Sequence, residues 1–115
     1  MHELSIALNL VEIAEAEARQ RGLSGIRSLH VQLGTLSGVV KEALLSAFEF
    51  ARQDSLVENA TLIVEEVPIV IYCPKCCGES PTDAAAPLCC SRCGTLSGEI
   101  LRGRELDLVS LEVDA

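Results

Sequence analysis

The chain has 115 residues, enough for one compact domain or for a small core that carries a still smaller module. With no Trp, one Tyr and two Phe, it can form an aliphatic core but not an aromatic-rich binding surface. Its formal net charge of -8 argues against a partner with a phosphate backbone, so we expect no nucleic-acid partner.

The amino-terminal segment predicts neither a secretory leader nor a membrane anchor. It has no basic region ahead of an apolar run, and Glu12, Glu15 and Glu17 interrupt its apolar residues. No apolar run approaches the ~20 residues that a membrane-spanning helix needs. We therefore expect a cytoplasmic protein without a membrane partner. In that reducing compartment, clustered cysteine pairs indicate metal ligands before disulfides.

The first half of the chain predicts a helix, a strand and a second helix. Residues 4 to about 21 form the first helix, because apolar side chains recur there at helical spacing and Gly22 can cap its end. Residues 28–33 alternate as a half-buried strand does, and Gly34 breaks that strand. We expect Ser37 or a neighbour to cap the second helix. The apolar positions are Leu4, Leu8, Val11, Ala14 and Ala18 in the first helix, and Val40, Leu44, Ala47, Phe48 and Ala51 in the second.

The second half predicts two extended pieces, a cysteine segment and a last strand. The stretch "ATLIVEEVPIVIY" is rich in β-branched residues and is interrupted by Pro68, which predicts a strand, a joint and a second extended piece. After the cysteines at 73–93, "GRELDLVSLEVD" predicts the last strand. The order favours an α+β fold, with two helices packed on a three-stranded sheet and the cysteine module inserted between the last two strands.

All six cysteines lie between Cys73 and Cys93, and four of them form two CxxC pairs. "CPKC" (Cys73, Cys76) and "CSRC" (Cys90, Cys93) are separated by thirteen residues. Each CxxC turn places two thiolates on one side of a tight loop, as adjacent vertices of a tetrahedron with Zn–S about 2.3 Å. Gly94 can adopt a positive φ that turns backbone amides toward the sulfurs. The spacing predicts a closed structural zinc site whose metal supplies folding free energy.

Other chemistries remain open for this segment. The pairs could form a disulfide, although no strand–CxxC–helix context favours thiol redox chemistry. A rubredoxin-type iron site would need an apolar jacket that is sparse here. The two further cysteines, Cys77 and Cys89, have three interpretations: small partly buried side chains, alternative zinc ligands, or a separate soft-metal site or disulfide. The first is favoured, and we expect the extra thiols to make the site prone to oxidation.

The amino-terminal tripeptide Met1-His2-Glu3 has the atoms of a metal chelate. The Met1 amine, the His2 amide nitrogen and the His2 Nδ1 can close consecutive five- and six-membered rings, and deprotonated amides favour square-planar Ni(II) or Cu(II). Glu3 could complete or orient the set through its amide or carboxylate. The plainer interpretation is an acid at a helix N-terminus, worth ~0.3–1 kcal/mol. His30, the other histidine, is expected on a solvated strand face.

The motifs together resemble one protein family. The stretches "MHELSIA", "LGTLSGVV", "EEVP", the paired CxxC and "GREL…SLEV" occur here in one order. In this order they closely resemble the HypA/HybF family of hydrogenase-maturation nickel chaperones, from Met1 to about Val113. The resemblance implies a nickel-binding domain, 1–68 with 103–115, and an inserted zinc-ribbon or rubredoxin-like domain, 69–102.

The resemblance also implies function. Nickel would bind at Met1, His2 and Glu3 as transient cargo, with His2 the main ligand. Structural zinc would be held by four residues: Cys73, Cys76, Cys90 and Cys93. The cargo would go to the large subunit of [NiFe] hydrogenase with the help of a nickel-binding GTPase, HypB, and some members of the family also serve urease maturation. Such a protein is not an enzyme.

The sequence departs from the family pattern at two positions. Cys77 stands where glycine usually follows the first CxxC, and Ser91 replaces the common proline of the second. Neither change removes an expected ligand, but they bear on the turn at the first CxxC pair and on the redox behaviour that the resemblance implies. The alternative function is a zinc-ribbon module that binds proteins without delivering nickel.

Overall fold

A computed structural model of the protein describes residues 3–82 and 87–113. The described elements form two three-stranded sheets, with strand orders β2-β1-β6 and β4-β3-β5. The elements are α1 (Glu3–Gln20), β1 (Ser28–Gly34), a 3-10 helix (Thr35–Ser37), α2 (Lys41–Ala51), β2 (Thr61–Val67), β3 (Ile69–Cys73), β4 (Gly78–Thr82), β5 (Ile100–Arg102) and β6 (Leu106–Glu112). The predicted α+β class is confirmed. No described helix is long and apolar enough to span a bilayer.

Helix α1 ends in the cap that its sequence predicts. Gly22 has a φ of 69°, in the left-handed region. Its N–H donates to the Arg19 carbonyl at 3.2 Å, and the Leu23 N–H donates to the Ala18 carbonyl at 2.8 Å. This pair of hydrogen bonds defines a Schellman motif, which satisfies carbonyls at the helix end.

The buried face of α1 differs from the predicted face at its start. Leu4 and Leu8, which share the helical spacing of the apolar residues, are 44% and 45% exposed. The buried residues of α1 are Ala7, Leu10, Val11, Ala14 and Ala18. Three of the five are alanines, and their short side chains allow close packing along the line that they share. The helix therefore turns its small residues inward and leaves its first leucines at the surface.

Helix α2 begins after Val40, and not directly after Ser37 or a residue next to it, where the prediction placed the cap. Ser37 ends the 3-10 helix, and Gly38 follows it with a φ of 79°. The N-cap of α2 is Val40, which makes no side-chain cap hydrogen bond and is itself exposed. The expected apolar face is otherwise present, with Leu44, Phe48 and Ala51 buried.

The helices cover one face of the first sheet, as predicted. Leu29 and Val31 of β1 are buried in the same cluster as the inner faces of both helices, while His30 and Gln32 between them are only half-buried. The partly buried Leu108 and Leu111 of β6 pack against this core. The alternation of β1 therefore puts its aliphatic residues under the helices.

Pro68 separates strands of two different sheets. β2 ends at Val67 in the first sheet, and β3 begins at Ile69 in the second. Proline lacks an N–H for a ladder hydrogen bond, so a change of sheet fits this position. The predicted strand, joint and second extended piece are confirmed.

The second sheet is built around β3, whose residues are mostly buried. β4 pairs with it in antiparallel register from Ile69↔Thr82 to Cys73↔Gly78, and β5 pairs on the other side. β4 was not predicted, because "GESPT" lacks alternating apolar residues and contains Pro81. Pairing with β3 makes this segment a strand, although its own residues have little propensity for strand structure.

Gly34 closes β1 at a close backbone approach. A Cβ at this position would lie 2.2 Å from the Gly103 carbonyl carbon, so no larger residue fits. The Gly34 N–H donates to the Glu105 carbonyl, and the Leu36 N–H donates to the Gly103 carbonyl, each at 2.7 Å. Steric contact with Gly103 therefore explains why glycine occupies the predicted strand break.

The chain divides into two compact units. The helical unit comprises Met1–Gln32, Val39–Glu65 and Asp107–Ala115, and the cysteine unit comprises Leu33–Gly38 and Glu66–Leu106. The predicted domain limits, 1–68 with 103–115 and 69–102, stay a prediction.

His30 takes part in a polar network, and its predicted solvated state is wrong. Its side chain is 32% exposed, and its Nε2 lies 2.6 Å from Glu112 Oε1. Ser28 donates to the same oxygen at 2.8 Å, and Arg27 donates to Glu112 Oε2 at 2.9 Å. One carboxylate on the last strand therefore collects three donors from the region of β1.

Candidate metal centre

Four cysteine sulfurs of the cysteine unit converge on one point. The sulfurs of Cys73, Cys76, Cys90 and Cys93 lie within 4.8 Å of one another. Sulfur–sulfur distances are 3.6 Å for Cys73–Cys93, 3.9 Å for Cys76–Cys90 and 3.5 Å for Cys76–Cys93. A tetrahedron with vertices ~2.3 Å from its centre has edges of roughly 3.8 Å. The donor set and its spacing therefore fit a tetrahedral zinc ion.

Each CxxC pair lies in a turn, and a backbone pairing within the cysteine unit closes each turn. We call residues 73–77 the first knuckle and residues 90–94 the second knuckle. The Cys73↔Gly78 pair of the β3–β4 hairpin closes the first. A bridge between Cys89 and Leu96 closes the second. The sulfur-bearing residues at the base, Cys73 and Cys90, are buried, and the other two are exposed.

Both knuckles end on a residue with positive φ. Gly94, which follows Cys93, has a φ of 77°, as predicted. Cys77 occupies the matching position after Cys76 with a φ of 54°. A side chain in this left-handed region costs roughly 1–2 kcal/mol, so the first knuckle carries strain that the second avoids.

Backbone and hydroxyl groups surround three of the sulfurs. The Cys76 N–H donates to the Cys73 sulfur at 3.4 Å, and the Arg92 N–H donates to the Cys90 sulfur at the same distance. The Thr95 hydroxyl oxygen lies 3.1 Å from the Cys93 sulfur. Such contacts orient thiolate ligands and moderate their charge.

The two knuckles differ in how readily their thiols ionise. The Ser80 hydroxyl, followed by the backbone N–H groups of Cys93 and Arg92, lowers the pKa of Cys90 to about 5. The Thr95 hydroxyl and then its N–H also lower the pKa of Cys93. The Cys93 thiol, then that of Cys73, and burial raise the pKa of Cys76 to about 12. Cys90 and Cys93 therefore reach the thiolate form that a metal requires more readily than Cys76 does.

Ser80 is a buried polar residue that supports the second knuckle. It lies on β4 with no exposed surface, and its hydroxyl accepts the Ser91 N–H at 3.0 Å. The two serine hydroxyl oxygens are 3.1 Å apart. A proline at 91 would have no N–H to donate, so the contact with Ser80 requires a residue other than proline there. Sequence reasoning missed this residue because it did not predict β4, the strand that carries it.

Arg92 supplies positive charge beside the sulfurs. The Cys90 thiolate, then that of Cys76, raises the pKa of its guanidinium. Arg92 Nη2 also donates to the Glu79 carbonyl at 2.7 Å, which fixes the side chain across the face of β4. Four thiolates around Zn(II) carry a net charge of 2-, and a nearby guanidinium offsets part of it.

The remaining cysteines are not part of the cluster. Cys77 is exposed, and its thiol donates to the Pro74 carbonyl at 3.4 Å. Cys89 is half-buried. The favoured description of both as partly buried side chains therefore fits Cys89 and is wrong for Cys77, whose backbone conformation turns it outward.

The predicted nickel residues are only partly within the described chain. Met1 and His2 lie outside the described residues. Glu3 starts α1, and its Oε2 accepts the Val40 N–H at 3.3 Å. The assignment of these three residues to nickel stays a prediction.

Comparison with known proteins identifies the family. The family model "Hydrogenase/urease nickel incorporation, metallochaperone, hypA" matches residues 1–113. The hydrogenase maturation factor HypA of Chloroflexus aggregans is 44% identical over 112 residues, covering 97% of this chain and 98% of that protein. The HypA of Synechococcus elongatus is 42% identical over 113 residues, covering 98% and 99%.

A solved structure shows the same similarity. The solution structure of the Ni metallochaperone HypA from Helicobacter pylori is similar to this chain with a TM-score of 0.67 and 30% identity, covering 97% of each chain. Fold, cysteine cluster and sequence together define a metallochaperone of nickel incorporation. The chain belongs to the HypA family.

Proposed function

We propose that this chain binds Ni(II) transiently at Met1, His2 and Glu3 and delivers it to the large subunit of a [NiFe] hydrogenase. The observation that carries the proposal is the family match, which begins at residue 1 and so includes this tripeptide. Delivery fits a site at a chain end with few ligands, because an acceptor can strip the ion by ligand exchange. A buried cage would bind the ion more tightly and release it slowly.

The chemistry of the tripeptide supports nickel as the cargo. The Met1 amine and the backbone nitrogens that follow form chelate rings, and the His2 imidazole supplies a further nitrogen. Deprotonated amide nitrogens favour square-planar Ni(II), whereas Zn(II) has no such geometric preference. This preference favours nickel at the terminus and zinc at the tetrahedral cysteines.

We further propose that the four-cysteine cluster holds structural zinc through Cys73, Cys76, Cys90 and Cys93. Support comes from the sulfur–sulfur distances, which match the edges of a tetrahedral site. When bound, zinc keeps the four thiolates together and leaves no vertex for a substrate. The protein then acts as a carrier and not as an enzyme.

The partners follow from this role. We propose the hydrogenase large subunit as the acceptor and the nickel-binding GTPase HypB as a helper in the cytoplasm. The family description includes urease, so urease maturation factors are further candidate partners. The net charge of -8 supports protein partners over nucleic acid.

Nickel titration of untagged, zinc-loaded protein tests the proposal. We expect one Ni(II) per chain, seen as a square-planar absorption band and as saturable heat. His2→Ala should abolish this binding while zinc content stays unchanged. His30→Gln is the matched control, because His30 pairs with Glu112 and should leave nickel binding intact.

Two results would overturn the assignment. One is equal nickel affinity in the His2→Ala protein. The other is equal affinity in protein with an amino-terminal extension that blocks the Met1 amine. Either result, together with capture of a protein partner by zinc-loaded chain, would favour the alternative function, a zinc-ribbon interaction module without nickel delivery.

A further inference from the structure

Arg92 connects the second knuckle to the strand that begins at the first. Its Nη2 donates to the Glu79 carbonyl at 2.7 Å. Glu79 lies on β4 next to Gly78, the residue whose pairing with Cys73 closes the first knuckle. A side chain of the second knuckle therefore binds the backbone beside the base of the first.

A second hydrogen bond joins the same two segments. The Ser91 N–H donates to the Ser80 hydroxyl oxygen at 3.0 Å, so two consecutive residues of the second knuckle bind two consecutive residues of β4. Two contacts at adjacent residues limit rotation of the knuckle on β4, which one contact alone would allow. The guanidinium of Arg92 is therefore held in place although the residue is exposed.

The guanidinium also interacts with both knuckles through their sulfurs. Hydrogen bonding to the Cys90 sulfur, and then to the Cys76 sulfur, raises the pKa of Arg92. These two sulfurs belong to different knuckles and are 3.9 Å apart. Four thiolates bring more negative charge than a Zn(II) ion cancels, so a fixed cation beside one sulfur of each knuckle reduces their repulsion.

The first knuckle has a basic residue at the equivalent position. Lys75 is the third residue of "CPKC", as Arg92 is the third residue of "CSRC", and both are exposed. The Lys75 ammonium is a compact charge without the planar fork that lets a guanidinium donate in several fixed directions. The two knuckles thus offer the same charge at the same position with different hydrogen-bonding capacity.

We propose that Arg92 is a positioning residue for the four-cysteine metal centre, where its guanidinium ties the second knuckle to β4 and offsets thiolate charge at one sulfur of each knuckle. The proposal rests on the proposed zinc function. Because metal binding and folding of such a unit share one free energy, a contact that stabilises the loaded fold also helps to retain the metal. Arg92 is not a ligand, since a guanidinium has only donors to offer.

Three substitutions separate the tether from the charge. Arg92→Gln removes the charge and the fork, whereas Arg92→Lys keeps the charge and removes the fork. Lys75→Gln removes a charge from the equivalent position and is the matched control. Zinc-loaded, full-length protein is mixed with an excess of a chromogenic chelator, and the rate of zinc transfer is recorded.

We expect zinc retention to follow the contacts of Arg92. Arg92→Gln should release zinc about three- to tenfold faster than the parent protein, the range of one lost hydrogen bond. Arg92→Lys should lie between these two proteins, and Lys75→Gln should stay within about twofold of the parent. At high salt the difference between Arg92→Gln and Arg92→Lys should narrow, because ions screen the part that depends on charge.

The absorption of Co(II)-substituted protein supplies a readout that a purely structural role would not move. The ultraviolet bands of a Co(II)-thiolate site report the transfer of electron density from sulfur to metal. A positive charge beside a sulfur stabilises the electrons that are transferred. These bands should therefore move to longer wavelength in Arg92→Gln and keep the parent position in Lys75→Gln.

Several results would overturn the proposal. One is zinc transfer from Arg92→Gln at the parent rate, and another is equal acceleration in Lys75→Gln. Faster transfer with unmoved Co(II) bands would also overturn it, because Arg92 would then be a tether without effect on the sulfurs. If Arg92→Gln retains no zinc, Arg92→Lys must still release zinc faster than Lys75→Gln for the proposal to stand.

Failure of the zinc site itself gives a different pattern. A parent protein that takes up no zinc, or a Cys90→Ser variant that holds zinc as tightly as the parent, would remove the proposed site whatever the result at Arg92.

Discussion

The two compact units of this protein are stabilised by different chemistry. Among the largest fully buried side chains, those of the helical unit are all apolar: Phe48, Leu29, Leu44, Val31 and Val57. Those of the cysteine unit are Ile69, Ile71, Cys73, Cys90 and Ser80. The helical unit thus has a conventional hydrophobic core, whereas the cysteine unit buries two thiols and a hydroxyl beside two isoleucines.

This difference assigns a separate task to each unit. Apolar burial requires no cofactor, so the helical unit should stay folded whatever the metal content. In the proposed zinc site, a metal would hold the thiolates of the cysteine unit together and stabilise its interior. The following substitutions act on one unit at a time and so test whether the two stabilising mechanisms are separate.

Loss of the metal should have the largest effect. Cys90→Ser, or removal of zinc by a chelator, should unfold the cysteine unit, because structural zinc contributes on the order of 10 kcal/mol. NMR should show loss of dispersed signals from β3–β5 with those of α1 retained. Cys89→Ser is the matched control, since the neighbouring Cys89 is outside the cluster. Unchanged spectra after zinc removal would contradict the comparison.

Phe48→Ala should produce the converse result. Truncation of this fully buried ring should destabilise the helical unit by about 3–5 kcal/mol and leave the zinc stoichiometry unchanged. The helical circular dichroism signal in urea measures the loss. Phe50→Ala in the same helix should cost less than about 0.5 kcal/mol, because Phe50 is 66% exposed. Loss of zinc in Phe48→Ala would show that the units depend on each other.

Relief of strain in the first knuckle should have a smaller and opposite effect. Cys77→Gly removes a side chain at φ 54° and should stabilise the zinc-loaded cysteine unit by roughly 0.5–1 kcal/mol, after the entropy of glycine in the unfolded chain is deducted. Cys77→Ala keeps the strain and removes only the thiol, so it should not be stabilising. Resistance to a zinc chelator measures both.

Substitution of Glu112 should change stability least at neutral pH. It should, however, change how stability depends on pH in the acid range. His30, then Ser28 and Arg27, lower the pKa of Glu112 from 4.5 to about 2. A folded-state pKa below the unfolded value contributes stability that is present above pH 4.5 and lost as the pH falls toward 2. Urea midpoints of the helical signal should show this slope in the parent protein.

Substitution of Glu112 tests whether this carboxylate causes the dependence of stability on pH. Glu112→Gln should flatten the dependence between pH 2 and 4.5, the interval set by the two pKa values. Glu12→Gln, on an exposed site of α1, should leave it unchanged. An equal slope in Glu112→Gln would assign the acid sensitivity to other carboxylates.

Sequence predicted best what local chemistry determines. The left-handed residues Gly22 and Gly94 and the joint at Pro68 follow from the backbone freedom of single residues. The convergence of the four cysteines follows from the CxxC spacing, since each turn needs only its own residues to aim two sulfurs.

The features that sequence missed all depend on distant partners. Strand β4 exists because β3 pairs with it, and Ser80 can be buried because the Ser91 N–H meets it. His30 is only 32% exposed because it contacts Glu112, which is remote in sequence. Amphipathic periodicity gave the right helices but could not fix the rotation of α1, because that depends on what covers each face.

The Ser80–Ser91 hydrogen bond has a consequence for exchanging segments between relatives. Grafting a proline at 91 alone would remove the N–H that the buried Ser80 hydroxyl accepts, and replacing Ser80 alone would remove the acceptor of the Ser91 N–H. Each change is costly by itself, while the two together remove both needs, so a double-mutant cycle should be strongly non-additive. Positions 80 and 91 are therefore energetically coupled, and an exchange of the second knuckle should transfer both residues together.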